Sequence, residues 1–245
     1  MRSCDPYIAP DWPAPANVKA MQTTRVGGVS RAPYDSMNLG LHVGDDPLRV
    51  NHNRQSLSAL LPTEPVWLEQ VHGTEVANAD AAGCRVVADA CIARYRGSVC
   101  VVMTADCLPV LLCDEDGTVV GAVHAGWRGL CDGVLEATVR AMGVAPHKLM
   151  AWLGPAISQQ HFEVGAEVRE AFIARDASAS DAFLAQAGSD KYRADLYLLA
   201  RQRLNALGIT RIHGGGRCTY SEPDCFYSYR RDGATGRMGT FIWLA

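Results

Sequence analysis

Three side chains set the chemistry to be expected of this chain: His72, Cys107 and His124, spaced 35 and 17 residues apart. Two imidazoles and a thiol are good zinc ligands, and three of them with the fourth position left to water form a catalytic rather than a structural pattern. One stretch of sequence brings two of the three together. From Gly97 to Leu130 it reads GSVCVVMTADCLPVLLCDEDGTVVGAVHAGWRGL, in which DEDG (Asp114 to Gly117) marks a turn between two apolar, β-branched runs. A loop of those residues pairs Cys113 with Thr118, and stepping outward places Cys107 opposite His124, Cβ atoms about 4.5–5.5 Å apart. That separation serves two ligands on one metal and equally a thiol with its general base. Pro109 lies inside the first strand, where a bulge would shift the register. The hairpin does not locate His72, which stands in a turn before Gly73.

Other residues could act around this pair. Gly126-Trp127-Arg128-Gly129 directly precedes a helical stretch, and free N–H groups, a guanidinium and two glycines make an anion site centred on Arg128 and Gly129. A tight strand-to-helix turn with a solvent-facing arginine is the alternative. Asp106 adjoins the cysteine and is a proton carrier by position. The C-terminal block, RCTYSEPDCFYSYRRDGATGRMGTFIW, mixes arginines, Arg230 among them, with Tyr220, Phe226, Tyr227 and Tyr229. Such a loop can stack on a flat ring or pair with an anion. Asn38, His42 and Arg54 are further polar candidates for substrate binding near the first helix.

The elements that must hold these residues follow from pattern. Residues 1–17, rich in Pro and Asp, form a loose lead-in, and 18–245 form one catalytic domain. VKAMQTTRVGGVS is a strand entering a glycine loop. A helix follows, capped by Asp45 or Asp46, with Pro47 first and Val50, Leu57 and Leu61 on one face. Residues 64–76 give two strands broken at His72-Gly73, and a further strand runs near Arg85–Ala93. Helices are expected over 130–143, 163–175 and 191–207, and strands near Met150–Leu153, Ile209–His213 and Gly239–Leu244. The alternation with an antiparallel hairpin predicts an α+β fold, a mixed β-sheet core with flanking helices.

Composition narrows the function. The 245 residues carry a net charge of −3 with no basic cluster, which argues against nucleic acid as a partner. No apolar run reaches membrane-spanning length, and the N-terminus lacks a signal-peptide core, so a cytoplasmic protein without membrane contact is expected. The nine cysteines show no CxxC pair and no disulfide spacing. In a reducing compartment most should be free thiols. A monomer is the default.

The blocks WLEQVHG, TADCLPVLL, AVHAGWRGL, LGPAIS…FEVG and CTYSEPDCFYSYRRDGATGRM resemble, in order and spacing from about Thr23 to the C-terminus, the YfiH-like or laccase-domain family, also called multicopper polyphenol oxidoreductases. The resemblance implies the YfiH-like fold and a zinc-dependent purine nucleoside phosphorylase acting on adenosine, inosine and methylthioadenosine, with adenosine deaminase activity. It also implies that zinc is held by His72 of the QVHG block, Cys107 of TADC and His124 of HAGWRG. Purine nucleosides and phosphate are then the partners, with phosphate expected near Arg128. QQHF at 159–162 departs from the family pattern away from these ligands. Two rivals stand beside this reading. Cys107 with His124 is also the nucleophile and base of a hydrolase or amidase acting on a peptidoglycan precursor. The family's older label implies a copper-dependent polyphenol oxidase, for which seven scattered histidines are few.

Overall fold

The protein is described by a computed structural model over residues 4–81 and 86–245. Cys84 and Arg85, expected as a free thiol and the start of a strand, lie outside the described residues. The centre is a six-stranded mixed sheet in the order Arg211–Gly214, Leu149–Leu153, Leu108–Asp114, Val120–Ala125, Ala90–Ala93, Val76–Asn78. Its outermost pairings are parallel and its three inner pairings antiparallel. Every residue of Leu108–Asp114 is buried because both faces of the sheet are covered. Leu108, Val110 and Leu112 meet Leu130, Leu135 and Val139 of the helices Trp127–Asp132 and Val134–Met142, and Leu199 and Leu204 of Leu196–Ala206. Leu111 and Cys113, on the opposite pleat, meet Cys100, Val102, Ile242 and Leu244 of a second sheet.

That second sheet is antiparallel, in the order Tyr7–Ile8, Val18–Thr23, Met238–Leu244, Val99–Thr104. Met21, Val101, Met103 and Phe241 on its outer face are covered by Leu57 and Leu61, which follow the helix Pro47–Ser56. The result is α+β: helices, mixed sheet, antiparallel sheet and a last helical layer. Val99–Thr104 and Val120–Ala125 end, and Leu108–Asp114 begins, at the same edge of this sandwich. Chemistry-bearing residues from three strands are thereby collected at one place.

The structure corrects several expectations. In the hairpin Cys113 pairs with Val120, and His124 faces Pro109 rather than Cys107. The cause is Asp114, whose carboxylate accepts the backbone N–H of Thr118 and Val119 and the Thr118 hydroxyl, drawing both residues into the loop. The register shifts by two residues, so the pleat is unchanged and Cys107 stays on the face of His124, one step out along the diagonal. The helix expected from residue 130 begins at Trp127 and is interrupted at Gly133 (φ 102°). Residues 191–194 form a strand against Glu163–Gly165, and the helix starts only after Asp195, whose carboxylate caps it at Leu198. Residues 4–17 are not loose: Tyr7–Ile8 pair with Val18–Thr23, and Cys4 is joined to Cys225 by a disulfide. A pairing across 221 residues has no local spacing to betray it.

Candidate metal centre

His124 is the next-to-last residue of its strand and is buried, with its ring directed between the two sheets. Its Nδ1–H donates to Oδ1 of Asp89 at 2.8 Å, so Nε2 is left to face Cys107. Asp89 is itself fully buried just ahead of the neighbouring strand Ala90–Ala93. Its Oδ1 also accepts the backbone N–H of His72 (2.9 Å), and Oδ2 accepts those of Val71 (3.1 Å) and Gly73 (2.7 Å). One carboxylate therefore folds the His72 turn and sets the ring of His124. The turn holds His72 at φ 62° with its ring 4.8 Å from that of His124. Cys107 leaves a bend in which Asp106 has φ 97°. Among the described residues these are the two non-glycine positions with left-handed backbone, and such strain collects where a site demands it.

The Cys107 sulfur lies 3.9 Å from Nε2 of His72, and one donor atom each from His72, Cys107 and His124 fall within 4.8 Å of one another. It is the one such three-residue group among the described residues. The glycines expected as an anion loop explain how it fits. A Cβ on Gly126 would stand 2.8 Å from Cδ2 of His72 and 3.1 Å from the Cys107 sulfur, and one on Gly129 would stand 2.8 Å from the Gly73 carbonyl. The start of the Trp127–Asp132 helix packs directly on the site and leaves no room for a side chain.

Burial opposes ionisation of the Cys107 thiol, but the His124 and His72 imidazoles prevail and bring it down to about 6. Burial likewise opposes charge on His124, yet the Cys107 thiolate and the Asp89 carboxylate raise it to about 9. Burial pushes Asp89 up and its bonds to His124 and Gly73 outweigh that, holding it below the usual carboxylate range. A thiol that ionises readily, an imidazole oriented by a buried carboxylate, and a second imidazole converging from another turn fit a divalent cation. Binding would displace the proton on His124 Nε2.

The group opens on a cavity of about 450 Å³ lined by His42, Gln70, Met103, Thr104, Ala105, Asp106, Ile157, Phe162, Tyr229, Arg230 and Arg237 besides the three donors. The walls are mainly apolar and aromatic, with positive charge from Arg230 and Arg237 and a carboxylate from Asp106. Arg230, expected from the sequence as a substrate-binding residue, is among the lining residues. Asp106, expected to carry protons, has one oxygen accepting the Thr219 hydroxyl and the other the Arg230 N–H, both at 2.6 Å. It anchors the C-terminal loop to the cysteine bend. Arg128 is exposed, lies over the Trp127 ring at 4.9 Å and does not line the cavity. Gly129 is buried against the His72 turn. Asn38 and Arg54 also lie outside the lining. The Asn38 amide oxygen accepts the Arg237 N–H, and Arg54 donates to the Leu39 carbonyl while stacked on Trp67 at 3.7 Å.

Sequence reading missed Asp89, Gln70 and Thr104, whereas Arg237 was among the arginines singled out in the C-terminal block. Asp89 had a signal, a lone acid inside the apolar run VVADACIA. Gln70 pairs its amide with both backbone groups of Met103, which nothing local announces. The hydroxyl of Thr104, 1 % exposed at the end of its strand, has no hydrogen-bond partner among the described residues, and the residue is part of the cavity lining.

Comparison with known proteins places this geometry. A family model described as multi-copper polyphenol oxidoreductase laccase matches residues 19–245. The chain is 58 % identical over 242 residues to the purine nucleoside phosphorylase YfiH of Shigella flexneri, covering 97 % of this chain and 98 % of that one. It is 55 % identical to a purine nucleoside phosphorylase of Pseudomonas aeruginosa, with 97 % and 98 % covered. The crystal structure of a Neisseria meningitidis protein of the DUF152 family superposes with a TM-score of 0.94 at 52 % identity, covering 98 % of this chain and 99 % of that chain. Among the described residues no helix is long and apolar enough to cross a membrane.

Proposed function

The chain belongs to the multi-copper polyphenol oxidoreductase laccase family, which includes the YfiH purine nucleoside phosphorylases, and from that premise we propose that it is itself a purine nucleoside phosphorylase. The observation that carries the proposal is the convergence of His72, Cys107 and His124 on an aromatic cavity large enough for a nucleoside. These three are the proposed metal ligands, zinc the proposed metal, and residues 18–245 the catalytic unit of a cytoplasmic monomer.

Phosphorolysis forms a bond from a phosphate oxygen to the anomeric carbon of the ribose and breaks that carbon's bond to the purine, which leaves with the electron pair and takes up a proton. Zinc, when bound, supplies a Lewis acid at one end of the cavity. The remaining work falls to the chain. Asp89 holds His124 in the tautomer that presents Nε2. Phe162 and Tyr229 give the cavity an aromatic lining, with the Arg230 guanidinium over the first ring at 5.4 Å and that of Arg237 over the second at 6.0 Å. Arg230, whose guanidinium is tied to the Glu163 carbonyl, and Arg237 provide positive charge for the anionic co-substrate, in place of the expected Arg128. The apolar walls exclude water, which would divert the reaction to hydrolysis.

Assay of purified protein with inosine and inorganic phosphate tests the reading: hypoxanthine and ribose 1-phosphate should appear together and only with phosphate. Free ribose, or no dependence on phosphate, counts against it. Adenosine in the same assay reports the deaminase activity, through hypoxanthine in place of adenine. One observation favours a second reading. A thiol lowered to about 6 beside an imidazole is also a nucleophile with its base. Turnover of an amide substrate that survives chelation and is lost on alkylation would favour that hydrolase. A multicopper oxidase, by contrast, needs several ligand clusters, and one is found among the described residues.

A further inference from the structure

Beside the main cavity lies a smaller pocket of about 210 Å³, lined by His42, Val43, Tyr229, Gly233, Thr235 and Arg237 among others. His42, Tyr229 and Arg237 line both, so the pocket adjoins the cavity as a side chamber across these three side chains. Two features give it a chemical character. The first is Thr235, 1 % exposed, whose hydroxyl has no hydrogen-bond partner among the described residues. A buried polar group left without a partner is costly, and in a native protein it asks for an explanation such as a ligand.

The second is charge. Arg237 donates through Nη1 to the carbonyls of Thr235 and Gly236, and its backbone N–H is held by Asn38, so the side chain is braced while the guanidinium keeps donors to spare. Among the described residues that line the pocket there is no carboxylate. His42 feels the resulting field: burial first, then the charges of Arg237 and Arg54, lower its pKa.

We propose that this side chamber binds the phosphate co-substrate, with the Thr235 hydroxyl donating to one phosphate oxygen and Arg237 supplying the opposing charge. The inference rests on the phosphorylase reading and specifies where its second substrate enters. A phosphate seated there adjoins the nucleoside cavity through the shared wall of His42, Tyr229 and Arg237 without contacting the exposed Arg128 loop. Attack then comes from the side of the C-terminal loop.

The test uses the metal-loaded full chain with inosine and inorganic phosphate. Thr235→Val keeps the side-chain shape and removes the hydroxyl, so it should fold. Its KM for phosphate is expected to rise about tenfold or more, the loss of one hydrogen bond to a charged group. Its KM for inosine should stay within about twofold, and Thr235→Ser should restore the phosphate KM. A phosphate KM unchanged in Thr235→Val overturns the assignment and leaves the phosphorylase reading standing. If wild type shows no phosphate-dependent base release, that reading fails and calorimetry with inorganic phosphate alone decides the chamber. Weaker binding by Thr235→Val than by wild type supports it, and equal or absent binding refutes it.

Discussion

Replacing Asp89 by Asn probes the group on which the site hangs. The carboxylate accepts four hydrogen bonds, two at each oxygen: His72 N–H and His124 Nδ1–H at one, Val71 N–H and Gly73 N–H at the other. An amide has one acceptor oxygen, so one pair of donors must face its NH2 group whichever way it turns. Two hydrogen bonds to a buried charge are then lost, at about 1.5–3 kcal/mol each, or about 3–6 kcal/mol in all. For a chain of this size each kcal/mol shifts Tm by roughly 2–4 °C, so a fall of about 10 °C is expected. If the NH2 turns towards His124, the imidazole must move its proton to Nε2, the atom that faces Cys107. If it turns the other way, the His72 turn loosens. Either outcome weakens metal binding by about 10–100-fold, as loss of an orienting carboxylate does. Melting and competition against a chromogenic chelator read the two effects. The pH dependence has a defined sign. Because folding lowers the Asp89 pKa, its contribution is complete above the unfolded carboxylate value and is lost as pH falls through the lower, folded one. The gap in Tm between wild type and variant should therefore narrow only in acid. A variant with wild-type Tm at neutral pH and unchanged metal affinity would refute the role given to Asp89.

Gly126→Ala should push apart His72 and Cys107, whose atoms would lie 2.8 and 3.1 Å from the new Cβ, and lower metal affinity by about tenfold while leaving far-ultraviolet circular dichroism unchanged. Wild-type affinity would show that the helix start does not shape the site. Thr104→Val removes an unpartnered buried hydroxyl, so it should raise stability by about 1 kcal/mol and yet lower kcat/KM for nucleosides. A stability gain with unchanged kcat/KM would mean the hydroxyl meets no substrate. In metal-stripped protein, iodoacetamide should alkylate Cys107 with a rate that rises through about pH 6, where the thiolate forms, and zinc should protect it. A midpoint near that of an ordinary thiol would contradict the imidazole stabilisation of the sulfur.

What could be read from the sequence was mostly local. The Asp46–Pro47 helix start and the strands ending the chain carry their signals in adjacent residues, and the structure places them there. The pleat shared by Cys107 and His124 survived a wrong register because a shift of two residues preserves the face. The register itself failed because Asp114 accepts hydrogen bonds from inside its own loop, which a turn motif does not reveal. Arg128 lies outside the cavity lining, and the glycines beside it that look like an anion loop are required by the close approach of His72. Asp89, Gln70 and the Cys4–Cys225 bridge act across 16 to 221 residues, and only folding brings their partners near.

Metal reconstitution tests the central claim most directly. Protein stripped with a chelator is titrated with zinc while phosphate-dependent release of hypoxanthine from inosine is followed, in wild type and in Cys107→Ala. Activity in wild type should rise linearly to an end point at one metal per chain, and Cys107→Ala should neither retain zinc nor release base. Base release by stripped protein at the full rate, or by Cys107→Ala, would contradict a metal centre built from His72, Cys107 and His124.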